Sequence, residues 1–167
     1  MTRQQAAAML RQPLRELRYG RLRLVMDFYV PFQMFRLKME NGKQTRELLM
    51  AADMVTGGLD PYQFPEAPAG GELARIDTVR CAPVLLGETG SLKLLEARMK
   101  REAFQKGFFK LGELKITGEW ISSFYLPYWI GVYERNEQAG LEVIDALRGR
   151  FEGAKLREIV TEWFFQQ

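Results

Sequence analysis

Hydrophobic residues near the start of the chain recur first at helical spacing and then in alternation with polar ones. The capping-box spacing from Thr2 to Gln5 predicts the start of a helix. Pro13 interrupts the apolar stripe of this helix, so we expect the helix to kink or restart there and to end at Gly20. The stripe, which we expect to dock against the core, consists of Leu10, Leu14 and Leu17.

Alternating apolar and polar positions over residues 22 to 30 then predict a half-buried strand. Beyond Pro31 the apolar residues occupy the other phase of the alternation. A shift of one residue exchanges the two faces of a strand, so we expect a bulge between Pro31 and Met34. The pair Asn41-Gly42 tolerates positive φ and predicts a two-residue hairpin turn before a returning strand at about residues 44 to 53.

A second helix and strand pattern follows a loop rich in proline and glycine at residues 58 to 72. Ser91 is the predicted N-cap of this helix and Gly107 its predicted end. A short strand at Leu114 and Ile116 and a longer one over residues 124 to 133 come next, and a turn at residues 136 to 140 returns the chain. The predicted buried face of the helix consists of Leu92, Leu95, Met99 and Ala103.

The last segment of the chain has a regular helical stripe, with apolar residues at i, i+3, i+4, i+7 and i+8. The stripe, which we expect to be buried, consists of Leu156, Ile159, Val160, Trp163 and Phe164. Two successions of a helix followed by antiparallel strands, with this helix added, predict an α+β protein.

Two short motifs occur twice in the same order. The segment FYVPF at residues 28 to 32 is matched by FYLPY at residues 124 to 128, which lies 96 positions later. The segment DMVTG, which begins at Asp53, is matched by DALRG, which begins at Asp145 and lies 92 positions later. We interpret the matches as an internal duplication, in which a shorter second hairpin absorbs the four missing residues.

The segment IDALRG at residues 144 to 149 resembles the end of a PepSY-type module. That family closes its sheet with an Asp-Ala-x-x-Gly turn after a Tyr-rich strand. The better match runs from about Ser91 to Gly149, whereas the first half has Asp53 and Gly57 but Met54 in place of the alanine.

The resemblance implies a cystatin-like layout, in which a helix lies against a curved antiparallel sheet. Together with the duplication it predicts two tandem cystatin-like repeats, at residues 1 to 58 and 91 to 167, the second ending in the C-terminal helix. Residues 59 to 90 are the predicted linker. PepSY modules are usually exported or membrane-tethered, and the resemblance implies a role in modulating peptidases.

The composition excludes several kinds of chemistry. The chain has no histidine and a single cysteine, Cys81, so an internal disulfide, a Cys/His zinc site, a Ser-His-Asp triad and a Cys-His dyad are excluded. We expect no cofactor, no metal and no catalytic residue of a familiar kind. A lone cysteine is typical of a reducing compartment, and arginines interrupt the N-terminal stretch where a signal peptide would need an apolar run. We therefore expect a cytoplasmic protein.

No membrane span is expected either. The longest strongly apolar run covers residues 120 to 133, which is 14 residues, whereas a helix needs about 20 to cross a bilayer.

Charge is concentrated at the N-terminus. Residues 1 to 23 contain six arginines and one acidic residue, Glu16, so their net charge is +5. The formal net charge of the whole chain is +3, which means that the remaining residues carry −2. Such a face meets phosphate on nucleic acid or at a membrane surface, or it is a solvated helix face whose arginine stems cover apolar surface. We favour the second reading.

Two carboxylates and four aromatic residues are the candidates for a site. Asp53 and Asp145 could share a proton or bind a cation, although each precedes a glycine and is better explained as an acceptor of backbone N–H groups in a turn. If no helix covers the second face of the strands, aromatic residues there form a concave surface for a peptide, a lipid or a planar ligand. These candidate ligand-binding residues are Tyr29, Tyr125, Trp129 and Tyr133.

The leading hypothesis is a non-enzymatic binding or scaffolding protein whose partner is an unidentified protein or peptide, or an apolar ligand on the aromatic face. A second hypothesis is an enzyme that works without histidine through its carboxylates, since Ser122 and Ser123 have no base placed by the sequence. The third is weak nucleic-acid binding through the arginine-rich N-terminal helix. The sequence does not predict an oligomeric state.

The third hypothesis gives a direct test. The N-terminal arginines lack a nearby aromatic stacking platform apart from Tyr19, so we expect only nonspecific binding to DNA, with a Kd of about 10⁻⁴ to 10⁻⁶ M at physiological salt. Fluorescence anisotropy with labelled single-stranded and duplex oligonucleotides measures it. Submicromolar, sequence-dependent binding at that salt would contradict this expectation.

Overall fold

The computed structural model describes residues 1 to 105, 114 to 136 and 138 to 165. Over those residues the protein is α+β, with four α-helices and one six-stranded antiparallel sheet. The helices are α1 (Arg3–Leu10), α2 (Pro13–Tyr19), α3 (Glu88–Gln105) and α4 (Ala154–Phe165). The strands are β1 (Arg21–Asn41), β2 (Gln44–Asp53), β3 (Tyr62–Phe64), β4 (Leu114–Arg135), β5 (Gln138–Asp145) and β6 (Arg150–Phe151). None of the described helices is long and apolar enough to cross a membrane.

The strands lie in the order β3-β2-β1-β4-β5-β6 across the sheet. In each long hairpin the aromatic-Pro motif ends opposite the aspartate, since Phe32 pairs with Asp53 and Tyr128 pairs with Asp145. From those pairs to the turn the first hairpin has ten paired positions and the second has eight. Two fewer pairs remove four residues, which confirms that a shorter second hairpin accounts for the different motif spacings.

The chain forms two compact units. The first unit comprises Met1–Val30, Val79–Pro83 and Tyr125–Gln167, and the second comprises Pro31–Thr78 and Val84–Phe124. Because β1 and β4 are long, each of them contributes residues to both units.

Helix α1 covers part of the sheet in the first unit. The predicted capping box at its start is confirmed, because Thr2 Oγ1 accepts a hydrogen bond from the backbone N–H of Gln5, and the Gln5 side chain accepts one from the N–H of Thr2. At Gly131 a Cβ atom would lie 2.6 Å from a methyl carbon of Leu10, so glycine lets the helix approach the strand. The cluster beneath α1 includes Ala6, Leu10, Val25, Tyr133 and Ile144.

Helix α4 also buries apolar side chains in the first unit. Leu156, Ile159 and Val160 are buried, as the stripe predicts. Trp163 and Phe164 are only half-buried, although the indole of Trp163 packs on Phe28 with ring centroids 4.8 Å apart. The last turn of the stripe is thus less completely buried than the turns before it, and it lies at the margin of the packed surface.

In the second unit the core lies between α3 and the strands. Leu95, Met99 and Ala103 are buried as predicted, whereas Leu92 is half-buried. The buried cluster consists of Phe35, Leu37, Leu48, Met50, Ala52, Leu95, Met99 and Ile116.

The leucine stripe predicted for the N-terminal helix is wrong in its second half. Leu10 is fully buried, but Leu14 is 80% exposed and Leu17 is 73% exposed. Pro13 is the first residue of the separate helix α2, so the turn between α1 and α2 breaks the 3.6-residue period. The later leucines consequently do not share the face of Leu10.

Two expectations for the first hairpin are also wrong. The register with β2 runs without an extra residue from Phe32 onward, so there is no bulge against β2. The change of phase arises instead because residues 30 to 35 are all buried, which means that both faces of β1 are covered there. The turn residues are Gly42 and Lys43, since Asn41 pairs with Gln44, and the φ of +59° at Gly42 suits the first position of a type II′ turn.

Corrections are needed in the second half as well. Ser91 is not an N-cap, because α3 begins at Glu88 and Ser91 lies buried within its first turns. The predicted helix end at Gly107 lies outside the described residues. The two strands expected from Leu114 onward are one continuous strand, β4. Strand β5 already begins at Gln138, whereas the turn was expected to extend to Gly140.

The chain segment after each long hairpin is organised by its buried aspartate. Asp53 has no exposed surface, and its Oδ1 accepts hydrogen bonds from the N–H groups of Val55, Thr56 and Gly57. Its Oδ2 accepts from the N–H of Leu59 at 2.9 Å.

The second aspartate also accepts hydrogen bonds from the residues two and three positions after it. Asp145 is also fully buried, and its Oδ1 accepts from the N–H groups of Leu147 and Arg148. Gly57 and Gly149 have φ of +64° and +65°, as the turns require. The interpretation of both aspartates as turn acceptors is confirmed.

We predict that Asp53→Ala lowers the free energy of unfolding by about 3 kcal/mol or more, because it leaves several buried N–H groups without an acceptor. Asp53→Asn retains an acceptor oxygen and should cost less. Urea unfolding measures both changes, with the exposed Asp77→Ala as a control that should stay within about 0.5 kcal/mol of the wild type. An Asp53→Ala midpoint equal to that of the control would contradict the prediction.

Candidate binding site

The four aromatic residues predicted to form an open surface lie in different surroundings within the first unit. Tyr133 is fully buried beneath α1, and its hydroxyl donates to the carbonyl oxygen of Leu10 at 2.6 Å. Trp129 is half-buried and donates from Nε1 to the carbonyl oxygen of Met1. Tyr29 is half-buried, whereas Tyr125 is 50% exposed. The N-terminal segment therefore covers the Trp129 and Tyr133 end of this face.

Tyr29 belongs to a polar cluster at the edge of β1. Its hydroxyl donates to Asp27 Oδ2 at 3.2 Å, and Asp27 Oδ1 forms an ion pair of 2.6 Å with Arg80. Burial raises the pKa of Tyr29, and the negative charge of Asp27 raises that pKa further, against the opposing effect of Arg80. The cluster fastens the segment Val79–Pro83 to β1.

Backbone hydrogen bonds of Tyr29 show the direction in which its N–H and C=O groups point. The N–H of Tyr29 donates to the carbonyl oxygen of Arg80 at 2.9 Å, and the carbonyl oxygen of Tyr29 accepts from the N–H of Ala82 at 2.8 Å. Both backbone groups of Tyr29 thus point away from β4, toward the side on which β2 lies farther along the strand.

The part of β1 before Tyr29 is a free edge. Pairing with β2 begins at Phe32, so residues 21 to 28 extend beyond the end of β2. Because backbone groups alternate along a strand, those of Arg21, Arg23, Val25 and Asp27 point the same way as those of Tyr29. Among the described residues we find no backbone partner for these four on that side.

A groove of about 380 Å³ lies beside this edge, between α1 and β1. Its apolar surface comes from Ala7, Leu22, Leu24 and Val25, and its charged surface from three arginines. The residues that line it are Arg3, Gln4, Ala7, Arg11, Leu22, Arg23, Leu24 and Val25.

The groove is positively charged. Arg23 forms an ion pair of 2.6 Å with Glu134, and both side chains are about half exposed. In the described part of the chain Arg3 and Arg11 have no ion pair, so their charge is available to a ligand. The arrangement suits an anionic, extended ligand that has apolar side chains.

Sequence reasoning noticed the arginines but missed the groove. The signal that could have revealed it is the unequal length of the strands, because the apolar alternation begins near Leu22 and the returning strand stops at Asp53. A strand that is longer than its hairpin partner must pair with something else or remain an edge.

Other polar clusters have structural explanations. Glu142 is almost completely buried and is held by Arg15 at 2.8 Å and Arg157 at 2.9 Å. The guanidinium of Arg15 stacks 3.2 Å from the centre of the Phe151 ring. Over the described residues no three His, Cys, Asp or Glu side chains come together as a metal site would require.

Comparisons of the chain with family models, with curated proteins and with solved structures found no match.

Tyr133 gives the first unit a pH dependence. Burial raises the pKa of its hydroxyl from 10.0 to about 12, and the charge of Arg15 opposes the rise. Above pH 10 the unfolded chain releases this proton while the folded chain retains it, so the free energy of unfolding should fall between about pH 10 and about pH 12.

Tyr133→Phe should remove that part of the fall and should be less stable than the wild type below pH 10, because it loses the bond to Leu10. Urea unfolding at a series of pH values measures both effects. A Tyr133→Phe profile parallel to that of the wild type through this range would contradict the assignment.

Proposed function

We propose that the first unit is a non-enzymatic binding module that takes an extended acidic peptide as an additional strand along the free edge of β1. The observation that carries the proposal is the juxtaposition of an unpaired strand edge with a groove bordered by arginines. Addition of a strand to a sheet edge is a recurring mode of peptide recognition, in which main-chain bonds supply affinity and side-chain pockets supply specificity.

The main-chain part of this recognition comes from four residues. Arg21, Arg23, Val25 and Asp27 direct their N–H and C=O groups to the free edge. Each hydrogen bond to a peptide contributes about 0.5 to 1.5 kcal/mol net. Several such bonds in series contribute a part of the affinity that does not depend on the side chains of the peptide.

Side chains select among those peptides. Alternate residues of an added strand point to one face, and here that face meets the apolar groove lined by Ala7, Leu22 and Val25. Arg3 and Arg11 lie at the same groove and favour glutamate or aspartate in the peptide. The net charge of +5 over residues 1 to 23 attracts such a partner from a distance.

The buried aspartates support a binding role over a catalytic one. The oxygens of Asp53 accept four backbone N–H groups, which leaves this carboxylate committed to the turn. The half-buried thiol of Cys81 is the single cysteine and suits a reducing compartment, so we propose the cytoplasm as the location.

We further propose that the chain consists of two tandem cystatin-like repeats. The matching hairpin registers support this, and so does an equivalent bond beyond each aspartate. The carbonyl oxygen of Pro31 accepts a hydrogen bond from the N–H of Met54 at 2.9 Å. The carbonyl oxygen of Pro127 accepts one from the N–H of Ala146 at 3.2 Å. In this reading Pro31 and Pro127 are equivalent positions, and so are Gly57 and Gly149.

The test uses a fluorescein-labelled peptide in which glutamate and valine alternate. Arg23→Pro removes one N–H from the free edge, and proline is tolerated on an edge strand. Arg23→Gln is the matched control, because it removes the same charge and the ion pair with Glu134 but retains the N–H. We expect Arg23→Pro to bind about tenfold more weakly than Arg23→Gln.

Arg3→Gln combined with Arg11→Gln should weaken binding of this peptide and reduce its dependence on salt. A peptide with lysine in place of glutamate should not bind. Equal affinities of Arg23→Pro and Arg23→Gln would exclude strand addition, and equal affinities for the two peptides would exclude the role given to the arginines.

A further inference from the structure

Helix α2 presents two leucines to solvent. The structure describes all seven of its residues, and none of them is buried. Leu14 and Leu17 are 80% and 73% exposed and lie three positions apart, so they project from neighbouring places on the helix. Exposed leucines scattered singly are ordinary, but a pair on a helix that buries nothing calls for an explanation.

The helix is held in place from its other side. Arg15 pairs with the buried Glu142 at 2.8 Å, and the Tyr19 ring packs on Tyr133 with centroids 5.7 Å apart. A guanidinium nitrogen of Arg135 donates to the carbonyl oxygen of Leu17 at 3.1 Å. These contacts fix α2 against the first unit and leave the two leucine side chains outward.

Three arginines lie close to the leucines in the sequence. Arg11 precedes α2, Arg18 lies within it and Arg21 follows it, and all three are exposed. Within the described residues none of the three has an ion pair, although Arg18 lies 5.0 Å from the centre of the Tyr19 ring. Glu16 is the acidic residue of this segment, so the surface carries a net positive charge.

We infer that α2 binds the surface of an anionic lipid bilayer. Leu14 and Leu17 enter the boundary between headgroups and acyl chains, while Arg11, Arg18 and Arg21 contact the lipid phosphates. Leucines flanked by arginines on a short surface helix are the pattern of an interfacial membrane contact.

The size of the surface favours a bilayer over a protein partner. A specific protein interface buries about 1,200 to 2,000 Å², far more than two leucines on one helical turn provide. A bilayer accepts such a small apolar insertion and adds the attraction of a negatively charged surface to each arginine. We therefore expect reversible association that requires anionic lipid.

The leucines distinguish this surface from the peptide groove. Leu14, Leu17 and Arg18 do not line the groove beside β1, whereas Arg11 borders both surfaces. The leucine variant should therefore affect lipid binding alone, and Arg23→Pro should affect peptide binding alone.

The experiment is co-sedimentation of the full chain with vesicles of phosphatidylcholine, with or without added phosphatidylglycerol. We expect binding only when phosphatidylglycerol is present. Leu14→Ser combined with Leu17→Ser should reduce the bound-to-free ratio about tenfold. The matched control, Ile76→Ser combined with Val79→Ser, changes two exposed apolar residues elsewhere and should bind as the wild type does.

Arg18→Gln combined with Arg21→Gln should weaken binding to the phosphatidylglycerol vesicles. Arg23→Pro should still bind them, which separates this surface from the groove. Circular dichroism checks that each variant is folded, which we expect because the substituted positions are exposed.

The inference is overturned if the wild type stays in the supernatant with both kinds of vesicle, or if the leucine variant binds as the wild type does. It is overturned equally if sedimentation velocity without lipid shows self-association that the leucine variant abolishes, because a second copy of the chain would then cover the surface.

Discussion

The structure depends on the buried aspartate that ends the second strand of each long hairpin. Asp53 is buried directly opposite Phe32, and the backbone N–H groups that it accepts force the chain out of the sheet. A slip of one residue in this register would turn the carboxylate to the other face and leave those donors without a partner. The end of β2 is thereby fixed, whereas β1 continues for eleven residues before Phe32. The free edge is a consequence of this mismatch.

Helix α1 converts that edge into a groove. It lies close to the sheet because Gly131 has no side chain to displace Leu10, and the hydroxyl of Tyr133 holds the end of the helix through the Leu10 carbonyl. The same contact covers the aromatic face that sequence reasoning left open. The packing of α1 on the sheet thus covers the candidate ligand-binding surface at Trp129 and Tyr133 and forms a different groove beside Val25.

Features governed by neighbours in sequence could be predicted, and those governed by distant partners could not. The capping box at Thr2, the restart at Pro13 and the turns after the two aspartates follow from local backbone chemistry. The exposure of Leu14 could not be predicted in this way, because it depends on where α2 lies after the chain turns between α1 and α2. The edge of β1 and its groove likewise require the length of one strand relative to another and the position of α1, neither of which is encoded in a local pattern.

The segment Val79–Pro83 sets a limit on what the edge of β1 can accommodate. It already bonds to the backbone N–H and C=O groups of Tyr29, so an added strand can pair only with the seven residues from Arg21 to Asp27. At about 3.3 Å per residue this stretch is about 23 Å long. Longer extended partners must bend away from the sheet when they reach the Asp27–Arg80 ion pair. A peptide that binds as proposed would therefore be limited in length by this segment, in addition to being selected by its charge.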